Sequence, residues 1–347
     1  MSKDANFPSR RGFLKVTAAG AVTVGTGLTN AAVAQEGGSA EFPLSQPGRV
    51  VKVSHSGAMD DPNRPGSDPV GEVVAAMVDT ALLAYTGLGD IGQAWSQFIN
   101  PSDKVMIKVN ALGSPGMSTN RTVVEAIIRG LQVMGLPNEN MLVYDQYGNR
   151  MRSADFRPGR DILGVAVEFS RNQGYSDDEV DTGSGRTRFS VALENSTAVI
   201  NVPVFKDHDI CGVTAAMKNM THGVIETPSD FHRAHRTEGC EVHANLWSQS
   251  QIKDKVRVTI ADGLRVLYQG GPQDSDNKIL HNSVYCTTDP VAMDTIAHEV
   301  IAAARADHGE DSLEDSGRPC NWLAVCAARG LGVADRDQIN LEEYNLG

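Results

Sequence analysis

Short runs of aliphatic and β-branched residues alternate along the chain with longer stretches in which apolar residues recur at i, i+3 and i+4. The runs Arg49–Val53, Val105–Val109, Met141–Tyr144, Ala198–Val202 and Val256–Ile260 predict strands. Val70–Leu83, Thr122–Met134, Val213–Met220 and Pro290–Ala304 keep the helical period. Alternation of this kind predicts a single α/β domain whose largely parallel sheet is flanked by helices. Arg150–Arg188, polar and Gly-rich in part, reads as an insertion or a seam, and the Gly/Ser/Pro-rich residues 35–48 read as a flexible tether. The α/β domain then spans residues 49–347, without internal repeats.

The first 34 residues read as an address. Ser9-Arg10-Arg11-Gly12-Phe13-Leu14-Lys15 has the form of a bacterial twin-arginine export motif, and the uncharged stretch Val16–Ala34 ends in the cleavage-like Ala32-Val33-Ala34. That stretch is rich in Gly and Thr and falls short of the ~20 strongly apolar residues of a membrane span, so no stable anchor is expected. The expected location is the periplasm or its equivalent, with the twin-arginine translocase as a transient partner and a mature chain starting near Gln35. Substrates of this pathway cross the membrane already folded, which favours a cofactor or partner acquired beforehand.

Charge narrows the partners. The chain carries a net −12, and loss of residues 1–34, which hold a net +3, leaves −15. Nucleic acid and anionic membrane surfaces need a basic face to displace counterions, and no long basic run supplies one. The five Cys are too few for a disulfide-built scaffold and odd in number; Cys320 with Cys326, or Cys211 with Cys240, are pairings left open.

Two patterns locate candidate chemistry. Five predicted strands run directly into polar residues, namely His55, Asn110, Asp145, Lys206 with His208, and Asp262, and in an open α/β sheet such residues gather at the carboxyl rim. Five of the nine His fall between positions 208 and 243, where even spacing would place about one. Lys218-Asn219-Met220-Thr221-His222-Gly223 reads as a helix end that presents Lys218 and His222 on one face, with Gly223 as its C-cap.

Lys108-Val109-Asn110, Lys206-Asp207-His208, Lys218-Asn219 with His222-Gly223, His232, Asp262-Gly263, Gly270-Gly271-Pro272, Asp289-Pro290-Val291-Ala292-Met293-Asp294 and Arg329-Gly330-Leu331-Gly332 occur in an order that resembles the domain of unknown function 362 family over roughly residues 50–335. The resemblance implies one catalytic-type domain with a polar cleft. Some relatives add an iron–sulfur ferredoxin module, but no Cys-x-x-Cys-x-x-Cys run is present here. Nor is there a nucleophile elbow, a P-loop or a dinucleotide fingerprint.

The first expectation is an enzyme that binds a small anionic molecule for acid/base work. Lys206, His208, Lys218 and His222 are its catalytic candidates, and Lys108, Asn110, Asn219, His232, Arg233 and Asp262 its binding candidates. The second is a transition metal held by His235, Cys240 and His243, whose His-x-x-His and Cys-x-x-His spacings suit zinc or copper, with Glu238 and Glu241 nearby. A redox role would need a cofactor of that sort. The third is a non-catalytic ligand-binding or maturation protein built on the same cleft.

Overall fold

The computed structural model describes residues 42–347 apart from 62, 63, 65 and 239. The export motif, the cleavage site and the start of the tether lie outside the described residues. In chain order the strands are β1 (Arg49–Ser54), β2 (Val105–Val109), β3 (Met141–Asp145), β4 (Ala166–Phe169), β5 (Val180–Asp181), β6 (Arg186–Thr187), β7 (Ala198–Val202), β8 (Val204–His208), β9 (Gly212–Thr214), β10 (Val256–Leu267), β11 (Lys278–Thr287) and β12 (Asn340–Asn345). Ten of them form one sheet in the order β12-β1-β11-β10-β7-β2-β3-β4, with β8 paired to β10 and to β9.

From β10 through β7, β2 and β3 to β4 all neighbours are parallel, and the expected α/β architecture is observed. The sheet is mixed overall because β11 runs antiparallel to both β1 and β10. The inner strands are buried on both faces, which is why they read as unbroken apolar runs. Val105, Ile107 and Val109 of β2 point into one core with the helices Gly71–Thr86 and Arg121–Met134, while Met106 points into the other with Pro290–Asp307 and Trp322. No helix among the described residues is long and apolar enough to cross a membrane.

Two predicted elements change. The strand predicted to end at Ile260 continues to Leu267, and its partner β11 was not foreseen, because the Lys278-Ile-Leu-His-Asn half of β11 is polar and Asn282 interrupts it at φ +51°. The helix predicted over Val213–Met220 divides into β9 and the helix Ala216–Thr221. Gly212 (φ +77°) closes the β8–β9 hairpin where a Cβ would lie 2.5 Å from the Arg318 carbonyl oxygen, so only glycine fits. The helix then starts where the buried Asp294 carboxyl accepts the Ala216 and Met217 N–H groups.

As predicted, Asp289-Pro290 opens a helix: Asp289 accepts from the N–H of Val291 and Ala292, and Pro290 occupies the first turn. Arg150–Arg188 folds into short pieces, including β4 and the two-stranded β5–β6 ribbon. All five thiols are free, so neither Cys320 with Cys326 nor Cys211 with Cys240 is joined.

Candidate active site

At the carboxyl ends of β3, β2 and β8 lies a layer of buried polar groups. Lys108 sits in a strand with no exposed residue, and its ammonium donates to Asp145 Oδ1 (2.7 Å), the Val109 carbonyl (2.7 Å) and Asn219 Oδ1 (3.0 Å). The register explains the pairing: Lys108 stands opposite Tyr144, so Asp145 emerges one residue further on, within reach. Asp145 Oδ2 also accepts the Ala111 N–H at 2.6 Å. Asn219 is the hub. Its Oδ1 accepts from Asn110 as well, and its Nδ2 donates to Asn201 Oδ1 in β7 at 2.8 Å.

In β8 the alternation of side chains sorts the Lys-Asp-His triplet. Asp207 turns toward Arg318 (2.7 Å) and Arg305 (3.6 Å), while Lys206 and His208 turn the other way. Lys206 donates to Asn110 Oδ1 (2.7 Å) and to the carbonyl oxygens of Leu112 and Met117. Burial, with the charges of Lys108 and Lys218 adding to it, pulls its pKa down to about 7. Lys206 is thereby a strut that pins the chain after β2, standing behind the cavity wall.

That wall encloses about 340 Å³, lined among others by Lys108, Asn110, Lys218, Asn219, His222 and His232. Lys218 and His222, one helical turn apart, share this lining as their spacing predicts. The Lys218 amine lies 2.6 Å from His232 Nε2. Around it, among the described residues, stand the Cys211 thiol and histidines, and no carboxylate lies within ion-pair distance. Burial lowers the Lys218 pKa, and burial together with Lys218 takes His232 down to about 3. His208 is also held near 3, by burial first and Lys218 second. Its Nδ1 accepts the N–H of Ile210 (3.0 Å) and Cys211 (3.3 Å). Although Asp209 Oδ1 is 3.1 Å from the same nitrogen, those two donors already claim its lone pair, so the ring is neutral with its proton on Nε2.

The histidines continue inward as a column. His208 stacks on His232 (5.3 Å between centroids), His232 meets His222 (4.7 Å), His222 meets His243 (5.3 Å), and His243 lies edge-on to His235 and flat on Trp322. His222 Nε2, His235 Nδ1 and both nitrogens of His243 have no hydrogen-bond partner among the described residues. Burial drives His222 and His243 well below the ordinary imidazole range. His235, Cys240 and His243 do not converge as a ligand set: among the described residues no three His, Cys, Asp or Glu side chains gather around a point where a metal would sit. The expected metal triplet fails because His243 is packed as a core aromatic against Trp322.

Other candidates also lie elsewhere. Arg233 is three-quarters exposed and pairs with Asp230. Asp262 sits within β10, where it accepts from the Asn120 N–H and amide and so positions the start of the helix Arg121–Met134. His55 lies in a turn, its Nδ1 accepting the Gly57 N–H. Conversely, the cavity recruits Gln146, Tyr147, Thr214 and Ser229, which were not singled out, together with Glu226 and Pro272. Gln146 and Tyr147 directly follow Asp145, so the strand-end rule would have reached them.

Residues 105–299, more than half of the chain and the part that carries this cavity, match the family model described as a domain of unknown function, DUF362. The chain belongs to this family. A crystal structure of a Thermotoga maritima protein from the Northeast Structural Genomics Consortium is similar at 12% identity and a TM-score of 0.38, over 59% of this chain and 53% of the other. The chain thus spans about half the length of that protein. No curated protein matches.

Proposed function

We propose that this DUF362 protein is an enzyme whose cavity binds a small anionic molecule and moves protons on it, with Lys218 and His232 as the working pair. The observation that carries the proposal is a lysine inside a cavity, without a carboxylate partner and 2.6 Å from a neutral imidazole. Lys108 is tied off by an aspartate, and Lys206 by Asn110 and backbone carbonyls; Lys218 has its charge available to a ligand. A buried ammonium attracts an anion far more strongly than a solvated one, and the adjacent imidazole can take or return its proton. Asn110, Asn219 and Lys108 form the fixed floor, and Lys206 holds the floor in place.

Acetate, propionate and inorganic phosphate, titrated separately, are the probes. At ~100-fold excess over Kd a bound anion stabilises the fold by about 2.7 kcal/mol, which is read as a rise in melting temperature. The rise is expected in the wild type and lost in Lys218→Met. Stabilisation that survives in Lys218→Met sinks the proposal. A second reading is favoured by the unpartnered nitrogens of His222 and His243: a transition metal bound after rearrangement of the column. Stoichiometric metal in the same preparation, absent from a His222→Ala, His243→Ala variant, would put that reading first.

We also propose that the protein is exported through the twin-arginine pathway and works in the periplasm or its equivalent. Its basis is the Arg10-Arg11 motif with the cleavage-like Ala32-Val33-Ala34. Replacing both arginines with Lys is expected to hold the precursor in the cytoplasm, and unchanged export would rule the assignment out.

A further inference from the structure

Two more unpartnered polar groups face the same cavity. Thr214, 4% exposed, has a hydroxyl without a hydrogen-bond partner, and so has Nε2 of His222. The Thr221 hydroxyl lies 3.0 Å from His222 Nδ1; donating there, it leaves the ring proton on Nε2. The cavity therefore offers two buried donors without acceptors, a threonine O–H and an imidazole N–H, beside an amine that has an imidazole and a thiol for neighbours. Buried donors of this kind cost about 1–3 kcal/mol each when left unmade, so a site that keeps them is built for an acceptor from outside. A carboxylate supplies that acceptor. A buried amine with a base in contact has the surroundings of a nucleophile as well as of a counter-ion.

From this we infer that Lys218 forms a Schiff base with a small 2-oxo acid, whose carboxylate is held by the Thr214 hydroxyl and His222 Nε2. This deepens the acid/base proposal and rests on it. The step balances without any co-reactant. The Lys218 ammonium passes one proton to His232 Nε2, and the freed nitrogen lone pair attacks the ketone carbon as the carbonyl π pair moves to oxygen. A proton shifts from the attacking nitrogen to that oxygen to give the carbinolamine. His232 then returns its proton to the hydroxyl, which leaves as water while the nitrogen lone pair closes the C=N bond. One ammonium and one ketone become one iminium and one water, with His232 neutral again. The iminium withdraws electrons from the neighbouring carbon, so the chemistry it serves is proton removal, decarboxylation or carbon–carbon cleavage next to the former carbonyl. About 340 Å³ admits an acid of a few carbons with room to spare.

A Cβ at Gly223 would come within 2.6 Å of Lys108 Nζ, so the backbone after the helix Ala216–Thr221 can close over the Lys108–Asp145 pair only as glycine. That pair is committed, which leaves Lys218 as the reactive amine of the cavity.

The test uses the full-length protein incubated with glyoxylate, pyruvate or 2-oxobutyrate, reduced with sodium borohydride and mapped by peptide mass spectrometry, with propionate titrated in parallel as the same anion lacking a carbonyl. Expected is a reduced adduct of at least one of the three acids on the peptide carrying Lys218, at least tenfold above that on any other lysine, and its loss in Lys218→Arg. His232→Gln is expected to slow trapping at least tenfold at neutral pH while leaving the same adduct at equilibrium. If none of the acids marks Lys218 although propionate still raises the melting temperature, the Schiff base is overturned and anion binding stands. If propionate has no effect either, both fall. Adducts spread evenly over surface lysines also overturn the inference, and because the position is mapped in the wild type, a variant that misfolds does not blunt the result.

Discussion

Acidification to pH ~4.5 is expected to remove about 5 kcal/mol of stability, a large part of the 5–15 kcal/mol that holds a typical fold together. The cause is the histidine column. His222 and His243 are buried and held well below 6.5, and His208 is held at about 3. In the unfolded chain each takes a proton as the pH drops through 6.5, whereas in the fold it does not. Protons therefore bind the unfolded state preferentially, and stability that is complete above 6.5 is lost as the pH falls. Each such group costs about 1.4 kcal/mol per pH unit, so the three together cost about 8 kcal/mol two units down. His232 and His235 act in the same direction but more weakly, because solvent reaches them. Asp294 opposes them. Burial raises its pKa to about 8, so the fold gains on protonating it, and over the same window it returns about 3 kcal/mol. Urea midpoints at neutral and acid pH read the loss directly. His243→Phe, which keeps a ring on Trp322, should lose about 2–3 kcal/mol less than the wild type between the two conditions; equal losses would show that the column is not the sensor.

How much of this was legible in the sequence differs from residue to residue. The Asp289-Pro290 helix start needed only local chemistry, a capping carboxylate before a residue that fits the first turn, and it stands as predicted. Parallel inner strands were legible because burial on both faces leaves an unbroken apolar run, as in Val105–Val109. The polar half of β11 was hidden for the opposite reason: it reaches past β1, pairs with β10 alone and is only half-covered, so it carries no such run. Among site residues, those at strand ends could be found by rule, and Asn110, Lys206 and His208 do converge. Depth was not legible. Alternation says that Lys206 and His208 share a face, but only the fold shows that one stands behind the wall and the other lines it. His243 was misjudged because spacing to Cys240 says nothing of Trp322, eighty residues away, which takes the ring into the core. Thr214 carried no signal at all, since its importance lies in a hydrogen bond it does not make.

Replacing Asp145 with Ala is expected to cost about 3–5 kcal/mol, against at most about 1 kcal/mol for an exposed pair such as Lys52–Glu343. Lys108 is 1% exposed, so without its partner the charge must either stay uncompensated or be given up. Burial already lowers the Lys108 pKa, and Asp145 is what pulls in the other direction. In Asp145→Ala the ammonium is therefore expected to deprotonate, and stability should fall further as the pH drops and the unfolded chain takes the proton that the fold refuses. Asp145 also accepts the Ala111 and Gln146 N–H groups, so the chain leaving β2 and the chain leaving β3 both lose an anchor beside the cavity. Asp145→Asn separates the two effects. It keeps an acceptor for one N–H and removes the charge, so a loss close to that of Ala assigns the cost to the uncompensated ammonium, and a loss below about 1.5 kcal/mol assigns it to the backbone bonds. The double variant Lys108→Met, Asp145→Leu completes the cycle. Because desolvating two ions offsets most of what their attraction contributes, this apolar pair should recover most of the stability lost in the single variant while abolishing the polar floor under Asn219. A double variant as unstable as Asp145→Ala would mean that the pair stabilises the sheet in its own right, and that the floor cannot be altered without unfolding it.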